Sequence, residues 1–242
     1  VIKALSTAQI DALTTNQLPK LTADQIEALT TAQLAALGTA DLNSLGTAQF
    51  AAIASTQVAG LTTAQVAALE TADLTALSTA VIKAMSTAQI DALTTDQLPK
   101  LTVDQVAAMT TAQLAALSTA DLNALGTAQF EALTSAQVAG LTTAQVSVLE
   151  TADVAALSTA GIAGLTTAQI VALTTGQIQA LTTDQVQSLT DGQIAKLSSA
   201  AARQLSGNQL QVLAYTSVQS LLPTLQANQI GALSTDQVQS FT

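Results

Sequence analysis

The sequence predicts an all-α fold, a solenoid or superhelical spiral of very short helices, with one helix in every eight-residue repeat. Three observations support this fold class. Large apolar residues recur every eight positions, a period of eight does not suit a continuous helix, and the polar residues of each repeat match a helix N-terminal capping motif. Together they favour a chain of short helices that are stable only when packed against one another.

The eight-residue repeat, or octad, runs from Leu5 to Leu221 and has apolar side chains at its first and sixth positions. A representative octad is Leu61-Thr62-Thr63-Ala64-Gln65-Val66-Ala67-Ala68. The first position is Leu except in one Ile and two Met octads, and Ala202 is the small exception at the sixth position. Two apolar side chains per octad are therefore expected to line the interior.

Two other structures could in principle carry a period of eight residues. In one continuous α-helix, eight residues would advance about 800°, so the apolar stripe would drift about 80° per octad around the helix. This drift excludes a coiled coil. A β-solenoid remains an alternative because Thr, Val and Ile favour strands, although the abundant Ala, Gln and Asp do not.

The second and fifth positions carry the signature of a helix start. Ser or Thr at position two and Gln or Asp at position five form a capping box, as at Thr142 and Gln145. The apolar first and sixth positions then form the hydrophobic staple. Each helix is expected to span at most about six residues, with Thr, Gln and Asp facing water. The small residue at position eight, such as Ala12 or Gly60, is expected to permit a tight turn.

The octads are organised at a higher level. Residues 1–160 consist of two tandem 80-residue units of ten octads, in which Pro19-Lys20 recurs as Pro99-Lys100. Either a recent duplication or a whole number of superhelical turns would explain this period. Residues 161–220 are increasingly divergent octads, 221–224 form a joint at which four extra residues shift the frame, and 225–242 resume the pattern. We expect the chain to be a fragment of a longer array, with any targeting signal outside it.

Composition excludes several classes of function. The 242 residues include no Cys, His or Trp, which argues against the usual zinc, haem and thiol chemistry and against disulfides. Six basic residues and a net charge of −10 disfavour nucleic acid as a partner. No apolar run is long enough for a membrane span.

Carboxylates are the reactive groups that remain. Asp41, Asp73, Asp121 and Asp153 replace Gln at position five, where a helix N-terminus favours negative charge, and we interpret them as caps. A glycosidase-like pair lacks an aromatic platform, and calcium binding lacks a recognisable loop motif.

The remaining candidate residues also have structural interpretations. The paired Thr residues raise the possibility of ice binding, but helices pack more coarsely than a strand ladder, and capping explains the hydroxyl groups. Arg203 and Tyr215 lie in the irregular segment and are expected to fill the joint. The sequence therefore predicts no catalytic, cofactor-binding or metal-binding residues and no cofactor.

Units such as Leu165-Thr166-Thr167-Ala168-Gln169-Ile170 resemble the octad repeat tracts of very large bacterial secreted or surface proteins of the adhesin-like kind. The resemblance covers almost the whole chain. It implies an extracellular or cell-surface location and an array that spaces other domains, and it assigns no functional residue.

The predicted function is a non-enzymatic spacer or stalk segment in such a protein. Its partners would be neighbouring repeats and domains of the same long chain. The alternative is a solenoid binding module that recognises a protein or glycan ligand through its outer face or a groove. A binding module should carry clustered exposed aromatic or Arg side chains. The single Tyr and single Arg in the sequence favour the spacer.

Overall fold

A computed structural model describes residues 2–241 and builds them from α-helices and 3-10 helices joined by extended residues and turns. No strand occurs in this described part of the chain. The all-α solenoid is therefore confirmed, and the β-solenoid alternative is excluded for these residues. The α-helices span four to six residues, except for one of seven residues at Tyr215–Leu221.

The structure divides into two compact units, Val1–Leu125 and Gly126–Thr242. The α-helices of the first unit are α1 (Thr7–Asp11), α2 (Ala23–Glu27), α3 (Thr31–Ala36), α4 (Thr39–Leu42), α5 (Thr47–Ala51), α6 (Thr63–Ala68), α7 (Thr71–Ala76), α8 (Thr79–Ala84), α9 (Thr87–Asp91), α10 (Val103–Ala108), α11 (Thr111–Ala116) and α12 (Thr119–Asn123). Its 3-10 helices are Ile2–Ala4, Leu18–Lys20, Val58–Gly60 and Leu98–Lys100.

The α-helices of the second unit are α13 (Thr127–Glu131), α14 (Ser135–Gly140), α15 (Thr143–Val148), α16 (Thr151–Ala156), α17 (Thr159–Gly164), α18 (Thr167–Ala172), α19 (Thr175–Ala180), α20 (Thr183–Ser188), α21 (Asp191–Ile194), α22 (Ser199–Ala202), α23 (Gly207–Gln211), α24 (Tyr215–Leu221), α25 (Ala227–Ile230) and α26 (Thr235–Gln239). One 3-10 helix, Leu222–Thr224, follows α24 directly.

Helix α6 shows how an octad begins and ends a helix. The extended residue Thr62 is its N-cap, and the Thr62 hydroxyl oxygen accepts a hydrogen bond from the backbone N–H of Gln65. The helix ends at Ala68, and Leu69 then returns to an extended conformation, with φ −58° and ψ 136°. Where a helix fills six positions of its octad, as α6 does, two extended residues at positions one and two separate it from the next helix, as the capping motif predicts.

The first and sixth positions form the core, as expected. Sixth-position side chains such as Val66 and Phe50 are fully buried, and first-position side chains such as Leu61 are nearly so. In the second unit α14 packs against α17, and α16 packs against α19, so each helix contacts the helix three octads further along the chain. The short helices are therefore held by their neighbours in the spiral, as a solenoid requires.

Small residues at position eight allow close approach between turns of the spiral. A Cβ atom on Gly60 would lie 2.3 Å from the carbonyl oxygen of Thr31, and one on Gly164 would lie 2.6 Å from that of Ser135. No glycine in the described residues has a positive φ. At these two positions a glycine is needed because the backbone lies close to a residue 29 positions earlier in the chain. The expected reason, a tight local turn, does not apply.

The segment 221–224 changes the register of the spiral. Pro223 lies in the 3-10 helix Leu222–Thr224, and Gln229 bonds to the carbonyl group of Leu205, 24 residues earlier. The equivalent separation elsewhere is 28 residues, as between Gln65 and Leu37. The segment 221–224 is therefore half an octad long, and the turn that contains it is four residues shorter than the other turns. The frame shift thus comes from four missing residues, and the expectation of four extra residues was wrong. The other predicted borders, at 80, 160 and 220, stay predictions.

Candidate functional site

Most glutamines at position five are buried, contrary to the expectation that they face water, and Gln9, Gln17 and Gln25 are the exposed exceptions. Gln65 is 3% exposed, and the same burial holds in both units. The buried position-five glutamines are Gln33, Gln49, Gln57, Gln65, Gln89, Gln97, Gln105, Gln113, Gln129, Gln137, Gln145, Gln169, Gln177, Gln185, Gln193, Gln209, Gln229 and Gln237. A capping role alone does not explain this burial.

Gln65 shows what the buried amide does. Its Oε1 accepts a hydrogen bond from the backbone N–H of Thr62 at 2.8 Å, which completes the capping box. Its Nε2 donates to the carbonyl oxygen of Leu34 at 2.9 Å and to that of Leu37 at 2.7 Å. One side chain therefore caps its own helix and binds the backbone of the preceding turn.

The same pair of bonds recurs along both units, and we call the side chains that make it the glutamine ladder. In each case Nε2 donates to the carbonyl groups of a sixth-position and a first-position residue, normally 31 and 28 residues earlier. The ladder includes Gln33, Gln49, Gln57, Gln65, Gln89, Gln97, Gln105 and Gln113 in the first unit, and Gln169, Gln177, Gln185, Gln193, Gln209, Gln229 and Gln237 in the second.

The first-position carbonyl depends on this amide. Leu37 lies between two helices, and the Nε2 of Gln65 provides the one hydrogen bond that its carbonyl oxygen accepts within the described residues. The carbonyl oxygen of Leu34 also accepts a bond from the backbone N–H of Leu37. A buried carbonyl group without a donor costs about 1–3 kcal/mol. The glutamine ladder thus satisfies the polar groups that the short helices leave unpaired.

One feature of the sequence, the absence of Glu at position five, could have indicated the ladder. A capping box accepts Glu as readily as Gln, because only the side-chain oxygen is used. No octad of this acidic chain has Glu at position five. The preference for Gln over Glu is consistent with a use for the NH₂ group as well as for the oxygen, although Asp replaces Gln in four octads.

Asp73 and Asp153 interrupt the ladder. Both are 4% exposed, and both follow a glutamate N-cap, Glu70 and Glu150 respectively. Burial, followed by the nearby Glu150 charge, raises the pKa of Asp153 to about 6, and the same causes raise the pKa of Asp73. In the first unit, the carbonyl oxygen of Leu45, 28 residues before Asp73, accepts no hydrogen bond in the described structure. These two octads carry a buried acid where others carry an amide donor.

The other two aspartates are partly exposed. Asp121 Oδ2 accepts a hydrogen bond from the Ser118 hydroxyl at 2.6 Å, whereas Asp41 follows a glycine N-cap that has no side chain. The four aspartates lie in four different helices, α4, α7, α12 and α16. Across residues 2–241, no three acidic side chains come together in a group that could hold a metal ion.

A cleft in the second unit lies beside the irregular segment. Tyr215 was expected to fill the joint, but its side chain is 50% exposed and lines a cleft of about 500 Å³. Gln187, Gln211 and Asp236 are among the polar residues that line it. Arg203 does contact the joint, because its Nε donates to the carbonyl oxygen of Thr224 at 3.2 Å. In this cleft an aromatic ring, amide groups and a carboxyl group are accessible together.

Asp191 is held in a small hydroxyl network in the same unit. Its carboxylate accepts hydrogen bonds from the hydroxyl groups of Ser217 and Thr216, which lower its pKa. Ser217 occupies position five of its octad and is buried. This octad thus contacts the preceding turn through a hydroxyl group and a carboxylate, instead of through a glutamine amide.

Comparison with known proteins gives a family but no function. No curated protein matches the chain. A solved structure, the leucine-rich repeat-containing protein LegL7 from Legionella pneumophila, is 13% identical over 94% of this chain and 89% of its own, with a TM-score of 0.27. No helix in the described part of the chain is long and apolar enough to cross a membrane.

The family model of the ALTTAQ repeat matches six times, at residues 2–39, 34–71, 66–103, 114–151, 146–183 and 171–199. These matches confirm the resemblance to octad repeat tracts that the sequence suggested. They cover well over half of the residues in both halves of the chain. The chain is therefore a repeat protein that belongs to the ALTTAQ repeat family.

Proposed function

We propose that this chain is a non-enzymatic spacer or stalk segment of a large bacterial protein that is secreted or held at the cell surface. The observation that carries the proposal is the glutamine ladder. Because each turn binds the preceding turn through the same two carbonyl groups, turns can be added without any new kind of contact. Such modular addition suits a segment whose useful property is its length.

The exposed surface supports the same role. Threonines at the second and third positions, such as Thr62 and Thr63, face solvent. Within residues 2–241 the exposed large apolar side chains are Val103, Val148, Val171, Tyr215, Ile230 and Val238, of which one is aromatic. Protein-binding surfaces are instead rich in clustered aromatic and Arg residues. The octad resemblance, the acidic charge and the lack of cysteine are compatible with an extracellular location.

Deletion of residues 61–116 tests the spacer role. This segment comprises seven octads, and at about 28 residues per turn it equals two turns, so both the octad phase and the ladder register survive. We expect small-angle X-ray scattering to show a folded chain whose maximum dimension is about 16–20 Å shorter, since packed helices lie 8–10 Å apart.

A tandem duplication of residues 61–116 provides the matched control. It should lengthen the chain by the same step, with unchanged helicity per residue in circular dichroism. A folded variant whose maximum dimension does not change in proportion to the number of turns would contradict the spacer role.

A second candidate function, glycan binding, is favoured by the cleft at Tyr215. An exposed aromatic ring beside amide and carboxyl groups offers stacking and hydrogen bonding to a sugar. Screening of the chain on a glycan array, with Tyr215→Ala as the matched variant, tests this function. Binding that is lost in Tyr215→Ala would establish a binding module, and the absence of any bound glycan would leave the spacer role alone.

A further inference from the structure

The octad at residues 69–76, inside the first unit, holds a buried carboxylate that receives no hydrogen bond. Asp73 is 4% exposed, and no donor within the described residues bonds to its oxygens. The exposed side chain of Glu70, three residues earlier, makes no cap bond. Burial and the charge of Glu70 both raise the pKa of Asp73, so its negative charge is poorly compensated. A buried charge of this kind is stable only beside a positive partner.

Two neutral oxygen atoms of the preceding turn also lack a donor. In the ladder register, the carbonyl groups opposite Asp73 belong to Leu42 and Leu45, and that of Leu45 accepts no hydrogen bond in the described structure. Asn43 lies between these two residues. Its Nδ2 donates to the carbonyl oxygen of Ala68 at 2.6 Å, whereas its Oδ1 is buried without a hydrogen-bond partner. The Asn43 amide therefore lies against the end of α6, directly before the octad that contains Asp73.

The length of the Asp73 side chain determines the spacing between these oxygens. In a ladder octad, the Nε2 of Gln65 lies 2.9 and 2.7 Å from the two carbonyl oxygens that it binds. Asp is one methylene group shorter than Gln, so its oxygens should end about 1.5 Å farther back, about 4 Å from the first-position carbonyl oxygen. Oxygen ligands lie about 2.3–2.6 Å from a calcium ion, so two ligands of one ion can be about 4 Å apart. A calcium ion would therefore fit between the two oxygens.

We propose that the oxygens around Asp73 bind a calcium ion. The ligands are the carboxylates of Asp73 and Glu70, the Oδ1 of Asn43 and the carbonyl oxygen of Leu45. The ion takes the place of the ladder amide, because it joins α7 to the carbonyl group of the preceding turn. The two carboxylates balance its charge, and water completes the six to eight oxygen ligands that calcium takes. With so few protein ligands, the dissociation constant should be about 10⁻⁴–10⁻³ M.

Urea unfolding in about 10 mM calcium chloride, compared with the same concentration of magnesium chloride, tests the proposal. Asp73→Gln removes the carboxylate but restores the amide of a ladder octad, so the variant should stay folded. Calcium should lower the unfolding equilibrium constant of the wild type about 10- to 100-fold more than that of Asp73→Gln. Magnesium should have a smaller effect, because it gives up its bound water reluctantly. Asp121→Gln is the matched control and should respond like the wild type, because the Asp121 carboxylate already has a partner in Ser118.

A calcium titration followed by NMR locates the ion. In the wild type, the side-chain amide resonances of Asn43 should shift along one saturating curve with the dissociation constant given above. In Asp73→Gln they should not shift. Equal stabilisation of the wild type and Asp73→Gln by calcium, equal effects of calcium and magnesium, or Asn43 resonances that do not move would overturn the proposal and assign the buried oxygens to water.

Discussion

Replacement of Gln65 by Glu separates the two roles of the ladder side chain. Glu keeps the oxygen that caps α6 but replaces the NH₂ group with a second oxygen. That oxygen would face the carbonyl oxygens of Leu34 and Leu37, which now receive hydrogen bonds at 2.9 and 2.7 Å. The capping box is retained, and only the bonds to the preceding turn are lost.

The expected loss follows from these contacts. The Leu37 carbonyl loses its donor, at a cost of about 1–3 kcal/mol, and the buried carboxylate adds a desolvation penalty. We expect the free energy of unfolding to fall by about 3 kcal/mol at pH 7. With an m-value of about 2–3 kcal/mol/M in urea, the unfolding midpoint should fall by about 1 M.

Gln25→Glu is the matched control, because Gln25 caps its helix identically but is exposed, and within residues 2–241 its amide donates to no carbonyl group. Its stability should change by less than about 0.5 kcal/mol, since a helix N-terminus accepts the negative charge. Urea unfolding followed by circular dichroism measures both variants. Equal losses in the two variants would refute the role assigned to the ladder.

The pH dependence of Gln65→Glu provides an independent check. Burial should raise the pKa of the introduced carboxyl group in the folded chain, so its destabilising effect is complete above that folded pKa. The effect should disappear as the pH falls to the unfolded value of about 4.3. A penalty that stays constant between neutral pH and pH 4 would contradict this reasoning.

Three further predictions concern the core, a buried acid and a close approach. Leu61→Ala should lower the free energy of unfolding by about 2–5 kcal/mol in urea titration, because Leu61 is 3% exposed and its removal leaves a cavity. Asp153→Asn should raise stability above pH 6, where the folded carboxyl group is ionised, and the gain should vanish towards pH 3.8, as stability curves against pH would show. Gly60→Ala should lower the melting temperature because its Cβ would meet the Thr31 backbone, whereas Gly176→Ala, with no atom closer than 3.8 Å, should leave it unchanged or raise it.

The sequence was sufficient to predict one helix per octad, because helix starts depend on local contacts. Thr62 and Gln65 are three residues apart, and the capping box and hydrophobic staple are visible within one octad. The buried core positions were also predictable from their period. These features involve side chains that meet within a single helix or share one periodic face.

The contacts between turns could not be read from the sequence in the same way. The bond from Gln65 to Leu37 spans 28 residues, a distance that is not a whole number of octads, so the octad period does not reveal it. The approach of Gly60 to Thr31 spans 29 residues and is equally hidden. Tyr215 was misassigned because a rare residue in an irregular segment gives no indication of which way its side chain points.

The glutamine ladder also has a direction. Each donor lies later in the chain than the two carbonyl groups that it binds, as Gln177 lies after Val146 and Leu149. When a new turn leaves the ribosome, the carbonyl groups that its glutamines bind have therefore already been synthesised, because they belong to the preceding turn. The chain can fold from its N-terminus as it emerges, each turn templated by the last, without waiting for distant sequence.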